Sequence, residues 1–139
     1  MAKSISIYKD IDIFTTAYLE AALWSSTDES TPEGGEPLDD NYGIDNIAQK
    51  SLRIMRRECR EFQRSAAQLL AQAYAATNSK GEKFYDEENA GHDFWLTRNG
   101  HGAGFWDRGL GDIGKALTDC AKSESSRDLY VWRKKVFQY

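Results

Sequence analysis

One apolar seam constrains this chain more than any other feature. Ala48, Leu52, Met55, Cys59, Phe62, Ala66, Leu69 and Ala73 recur at alternating steps of four and three. That spacing holds a narrow stripe on one face of an α-helix, and a strand with its period of two cannot accommodate it. Ala, Gln, Leu, Arg and Glu dominate the stretch, and all are good helix formers. The pattern predicts a long helix over residues 45–77, capped by Asp45 and stopped by the Asn-Ser-Lys-Gly of 78–81. A helix with one apolar stripe must bury it, so the rest of the chain has to supply the opposing layer.

Five further segments follow from local patterns. Residues 11–25 read as a helix capped by Asp10 or Asp12, with Phe14, Ala17, Tyr18, Ala21 and Ala22 inward and Trp24 closing over the core. Both prolines, two adjacent glycines and most of an acid run mark 26–43 as a long loop. The segment HDFWLTRNGHGAGFWDRG, 92–109, reads as an aromatic β-hairpin turning at Asn99-Gly100-His101-Gly102, with strands at 92–98 and 103–108. That register sets Asp93 opposite Arg108, Trp95 opposite Trp106 and Leu96 opposite Phe105, and a one-residue slip would exchange the faces. Asp112 caps a short helix over 113–122, with Ile113, Leu117, Cys120 and Ala121 inward. Strands at 129–132 and 136–139 join at Arg133-Lys134-Lys135. The predicted fold is α+β: a small antiparallel sheet of two hairpins packed against one long and two shorter helices, in a single domain over residues 1–139.

Composition narrows the class. With 139 residues, four Trp, six Phe and seven Tyr, the core needs neither metal nor disulfide. Cys59 and Cys120 fall on inward helical positions and have no metal-type spacing, so they are expected to be reduced core residues of a cytosolic protein. The opening MAKSISIYKD lacks a leader's apolar run, and the uncharged stretch 65–79 is too short and polar to span a bilayer. Net charge is −4, from 18 basic and 22 acidic residues, which does not mark a general nucleic-acid binder. The distribution is bipolar, however. Residues 28–45 carry seven acids and no base, whereas 50–64 carry six bases against two acids.

Four constellations carry candidate chemistry. His92, Asp93, His101 and Asp107 have the residue types of a catalytic or metal site. In the hairpin register, roughly 20 Å or more separates the two histidines, which argues against a shared ion. The glycines of NGHGAG can cradle a phosphate, but a phosphate loop needs a helix after it and here a strand is expected. Trp95 and Trp106, with Arg98, Arg108 and the His101 turn, make a binding platform of aromatic and guanidinium groups. Arg53, Arg57, Arg60 and Arg64 recur at steps of four, three and four, forming a ribbon on the long helix flanked by Arg56. The ribbon suits nucleic acid or an acidic protein surface, or else a clamp on the chain's own acidic loop. No nucleophile arrangement, cofactor motif or metal-ligand spacing is present.

HDFWLTRNGHGAGFWDRG, the following GLGDIGKALTDCAKS and the DLYV strand resemble a recurrent family of small bacteriophage-encoded accessory proteins of undefined activity. FTTAYLEAALW and EPLDDNYGID are similar to the same family, and the ending YVWRKKVFQY departs from it. The resemblance implies a viral accessory protein in the host cytoplasm, and it supplies no catalytic residue. The leading expectation is a non-enzymatic protein that binds and modulates a host protein, such as a bacterial defence factor, through Trp95, Arg98, His101, Trp106 and Arg108. The alternatives are nucleic-acid binding through the arginine ribbon, and a small enzyme or nucleotide binder at the His92/His101 hairpin. No cofactor, metal or membrane is called for.

Overall fold

The computed structural model describes residues 6–139, so the opening residues 1–5 lie outside the account below. The α+β class read from the sequence holds, with five α-helices and two small two-stranded antiparallel sheets. The element order is α1 (Ile13–Ser25), β1 (Thr27–Asp28), β2 (Glu36–Pro37), α2 (Gln49–Ser65), α3 (Ala67–Ala75), α4 (Glu87–Arg98), α5 (Asp112–Lys122), β3 (Leu129–Trp132) and β4 (Lys135–Gln138).

The centre is a helix pair. α1 and α4 pack along most of their lengths. Asp12 caps α1 by accepting the Thr15 amide at 3.1 Å. Gly91 makes the close approach feasible, because a Cβ there would overlap the Phe14 carbonyl. Phe14, Tyr18, Phe62, Phe94 and Phe105 fill the space between the layers, with the Phe62 and Phe94 rings stacked at 4.0 Å.

The apolar seam is buried as predicted, but its helix is broken. α2 begins at Gln49 rather than 45, with Ala48 rather than Asp45 at the N-cap. A kink at Ala66 (φ −103°, ψ 18°) separates α2 from α3. Beyond it Leu70, rather than Leu69, occupies the buried position. Acid residues of the 26–43 segment build local structure of their own: β1 pairs with β2, and Asp28 accepts the Ser30 amide and hydroxyl. One of the two sheets therefore lies here, and the other lies where read, at the C-terminus.

Residues 92–108 are not a hairpin. Asp86 and Asn89 form a reciprocal capping box (2.9 and 3.0 Å) that starts α4, Glu87 and Glu88 sit favourably in its first turn, and Arg98 sits in its last. The Asn99-Gly100 pair, read as a hairpin turn, instead closes this helix. Gly100 takes φ 72°, and the amides of Gly100 and His101 bond back to the carbonyls of Thr97 and Leu96. Residues 101–104 lead into a single 3-10 turn at Phe105–Asp107. Asp112 is the first residue of α5 rather than its cap, a role that falls to Gly111.

Candidate functional site

The 92–109 segment is an inward-facing lock. Trp95 is 1 % exposed, and its indole donates to the Ser25 hydroxyl at 2.7 Å. Arg98 is buried and fully employed: it donates to Glu58 at 2.6 Å, to the Ser125 carbonyl at 2.6 Å and to the Tyr18 hydroxyl at 3.1 Å. Glu58 also receives Arg127 at 3.1 Å and the Gln138 amide at 3.0 Å, so one carboxylate joins α2, α4 and β4. Burial alone would favour the neutral acid. The bonds from Arg98 and Gln138 and the charge of Arg127 outweigh it and hold the Glu58 carboxyl below its ordinary value. Burial likewise opposes the Arg98 charge, and Glu58 and Tyr18 reverse that, raising its pKa.

A second ion pair closes the same segment. Arg108 grips Asp93 through two nitrogens, at 2.7 and 3.0 Å, and the Tyr85 hydroxyl donates to Asp93 at 2.7 Å. The sequence reading paired Asp93 with Arg108 across two strands; the contact exists, but it ties a helix to the end of a 3-10 turn. Gly104 fits because a Cβ would strike Thr97 and Trp106, while the Thr97 hydroxyl accepts the Phe105 amide.

The platform expected from Trp95, Arg98, His101, Trp106 and Arg108 is therefore not formed as a surface. Trp95 and Arg98 lie inside, Arg108 is committed to Asp93, and Trp106 alone of the two tryptophans faces water, at 43 % exposure. The His92, Asp93, His101 and Asp107 constellation also comes apart. His92 lines a cleft with Trp24, His101 lines another with Ser126, Arg127 and Tyr139, Asp93 is locked in its ion pair, and Asp107 is exposed. Among the described residues, no group of three or more His, Cys, Asp or Glu is placed to hold a metal ion. Burial raises the Cys59 thiol well above its ordinary value, which keeps it protonated.

Three features face outward. The first is the ribbon: Arg53, Arg57, Arg60 and Arg64 are all exposed, opposite the buried seam. Arg57 meets Glu61 on its own helix at 4.0 Å, with both side chains more than half exposed, and such a pair contributes little. No ion pair among the described residues joins the ribbon to the acidic segment, so the internal clamp is not formed. Arg60 borders a shallow cleft with Asp10 and Asp12. Arg56 leaves the ribbon to hold the carbonyls of Ile7 and Lys9.

The second is the C-terminal hairpin. Its inner face packs on α2, where Ala48 donates to the Val136 carbonyl at 2.8 Å and Gln138 donates to the Ser51 hydroxyl at 3.0 Å. Its outer face carries Tyr130, Trp132, Phe137 and Tyr139, with Trp132 at 55 % and Tyr139 at 67 % exposure. The third is an open cleft of about 770 Å³ lined by Trp24, Tyr42, Ile44, His92 and the acids Glu20, Asp39 and Asp45.

Glu58 and the outer hairpin face were the features sequence reasoning passed over. Both left a signal. Ser51 and Glu58 stand seven apart along one edge of the apolar seam, and period-two alternation through 129–139 puts the aromatics together. Comparison with protein families, curated sequences and solved structures finds no match to this chain.

Proposed function

We propose that this chain is a nucleic-acid-binding accessory protein that acts through the arginine ribbon of α2. The observation that carries the reading is the ribbon's availability. Four guanidinium groups stand on one exposed helix face, and among the described residues no ion pair joins them to the acidic segment. Guanidinium is weakly hydrated and bonds phosphate through two nitrogens, so an Arg row suits a phosphate backbone better than a Lys row. The resemblance to small phage-encoded proteins supports placing this action in the cytoplasm of an infected bacterium.

Four neutralised phosphates give an affinity that falls roughly 50- to 150-fold between 50 and 200 mM salt. Fluorescence anisotropy with labelled oligonucleotides at those two concentrations measures it. The R53Q/R57Q/R60Q/R64Q variant should bind weakly and with a flatter salt response. No binding by the unaltered protein at 50 mM salt, or equal binding by the variant, sinks the reading.

A second reading keeps a host protein as the partner, with a different contact surface. It is favoured by Trp24, which is 57 % exposed and tilted against His92 (ring centroids 5.7 Å apart) in a cleft rimmed by Glu20, Asp39 and Asp45. An exposed tryptophan ringed by acids suits a basic side chain of a partner. Capture from host lysate should then be abolished by Trp24→Ala, and capture that survives this change removes the reading.

A further inference from the structure

We infer that the outer face of the C-terminal hairpin is a base-stacking platform for single-stranded nucleic acid, with Arg133 and Lys134 at its tip holding the backbone. This rests on the nucleic-acid reading above and narrows its ligand to unpaired strands.

Three observations converge on that face. Tyr130 and Phe137 face each other across the strands as a stacked pair (5.3 Å, 15°), Tyr139 adjoins Tyr130 at 5.1 Å, and Trp132 meets Phe137 edge-on at 6.1 Å. Buried aromatics would make this ordinary packing, but Tyr130, Trp132 and Tyr139 are exposed and Phe137 is half-buried. Tyr130 and Trp132 are two residues apart on one strand, about 6.6 Å along it. That is close to twice the 3.4 Å rise between stacked bases. A single strand accepts this spacing when a protein ring is inserted between successive bases, whereas a duplex must unstack and kink a base step to admit one, at an energetic cost for each step.

The tip is the second observation. Arg133 and Lys134 form the two-residue turn with φ 50° and 62°. Both lie in the left-handed region that this turn requires and that Asn and Gly occupy at lower cost. Two long basic side chains here are held against backbone preference, as at positions kept for a contact rather than for folding. The third observation is charge. Arg133 lies over the Trp132 ring at 4.4 Å, and Lys135 opposes Trp132 in the register. Three consecutive cations therefore edge an aromatic face, complementary to a polyanion whose bases present flat π-surfaces. Asp128 accepts the Tyr139 hydroxyl at the foot of the face, away from the basic tip.

The test uses the whole protein and labelled oligo-dT, oligo-U and a duplex of equal length in anisotropy titrations. Oligo-dT and oligo-U should both bind more tightly than the duplex. Y130A/W132A should lose about tenfold or more for the single strands while leaving the weak duplex binding unchanged. R133N/K134G should raise Tm, because it relieves the turn, and at the same time weaken single-strand binding several-fold. That opposite movement separates a binding role from damage to the fold. Single-strand affinity unchanged in Y130A/W132A, while the ribbon variant still loses affinity, overturns the platform and leaves the ribbon reading standing. Equal affinity of the unaltered protein for duplex and single strands also overturns it. Absence of binding to any strand overturns both readings.

Discussion

Residues 94–108 and 129–139 are built from the same chemistry and meet opposite fates. Each combines tryptophan, phenylalanine and arginine at close spacing. In the first, Trp95, Phe94 and Phe105 are buried and both arginines are matched to carboxylates, Arg98 to Glu58 and Arg108 to Asp93. In the second, Tyr130, Trp132 and Tyr139 are exposed, and Arg133 and Lys134 meet no carboxylate among the described residues. The difference lies in partners more than in composition. A guanidinium enters a core only with a positioned anion and further hydrogen bonds, and α2 offers one such anion, Glu58. Aromatic–arginine clusters therefore mark a binding surface only after the carboxylates within reach have been assigned.

The largest effects are expected in the inward region. Glu58→Ala strands Arg98 in the core and should cost about 3–5 kcal/mol, read by urea denaturation. A loss below about 1 kcal/mol would mean that the network does not hold α2, α4 and β4 together. Trp95→Ala empties a buried indole site and should also cost about 3–5 kcal/mol. Gly91→Ala drives a methyl group into the Phe14 carbonyl and should cost about 1–3 kcal/mol through separation of α1 from α4. Unchanged Tm in this variant would show the two helices able to move apart without penalty.

Acid tests the same region without mutation. Glu58 has a folded pKa below its unfolded value, so its ion pairs stabilise the protein fully above that unfolded value, near 4.5. The contribution is lost as pH falls through the lower folded value. Thermal scans from pH 6 downwards should show Tm falling below about pH 4.5, with a shallower fall in Glu58→Gln. Parallel curves would assign acid sensitivity to other carboxylates. The smallest effect belongs to the outward region: Trp132→Ala should change stability by less than about 0.5 kcal/mol. A larger loss would make the hairpin rings part of the core and erase the contrast.

Much of the architecture was legible in sequence because it is periodic. The Ala48–Phe62 portion of the seam and the C-terminal strand pair follow from local spacing, which also narrowed the α1 cap to Asp10 or Asp12, of which the structure uses Asp12. α4 was not legible as a helix because eight of its twelve residues are buried, on several faces at once. A helix packed on several sides has no polar stripe, and a run such as HDFWLTR then lacks the 3.6-residue signature. Asn99-Gly100 compounded this, since a glycine at positive φ serves a hairpin turn and a helix end equally well. The Asp86–Asn89 capping box was the local signal that separates the two.

The sequence by itself determined the class of the fold, the inward face of α2 and the charge segregation, because each depends on neighbours three to seven residues apart. Tertiary structure alone decided which arginines are spent. Arg98 finds its anion 40 residues away and Arg108 finds its own 15 away, while the ribbon and the hairpin tip find none in the acidic segment. A charge's partner is set by distances through space that no spacing along the chain encodes, and so the available surface became visible only once the buried pairs had been removed from it.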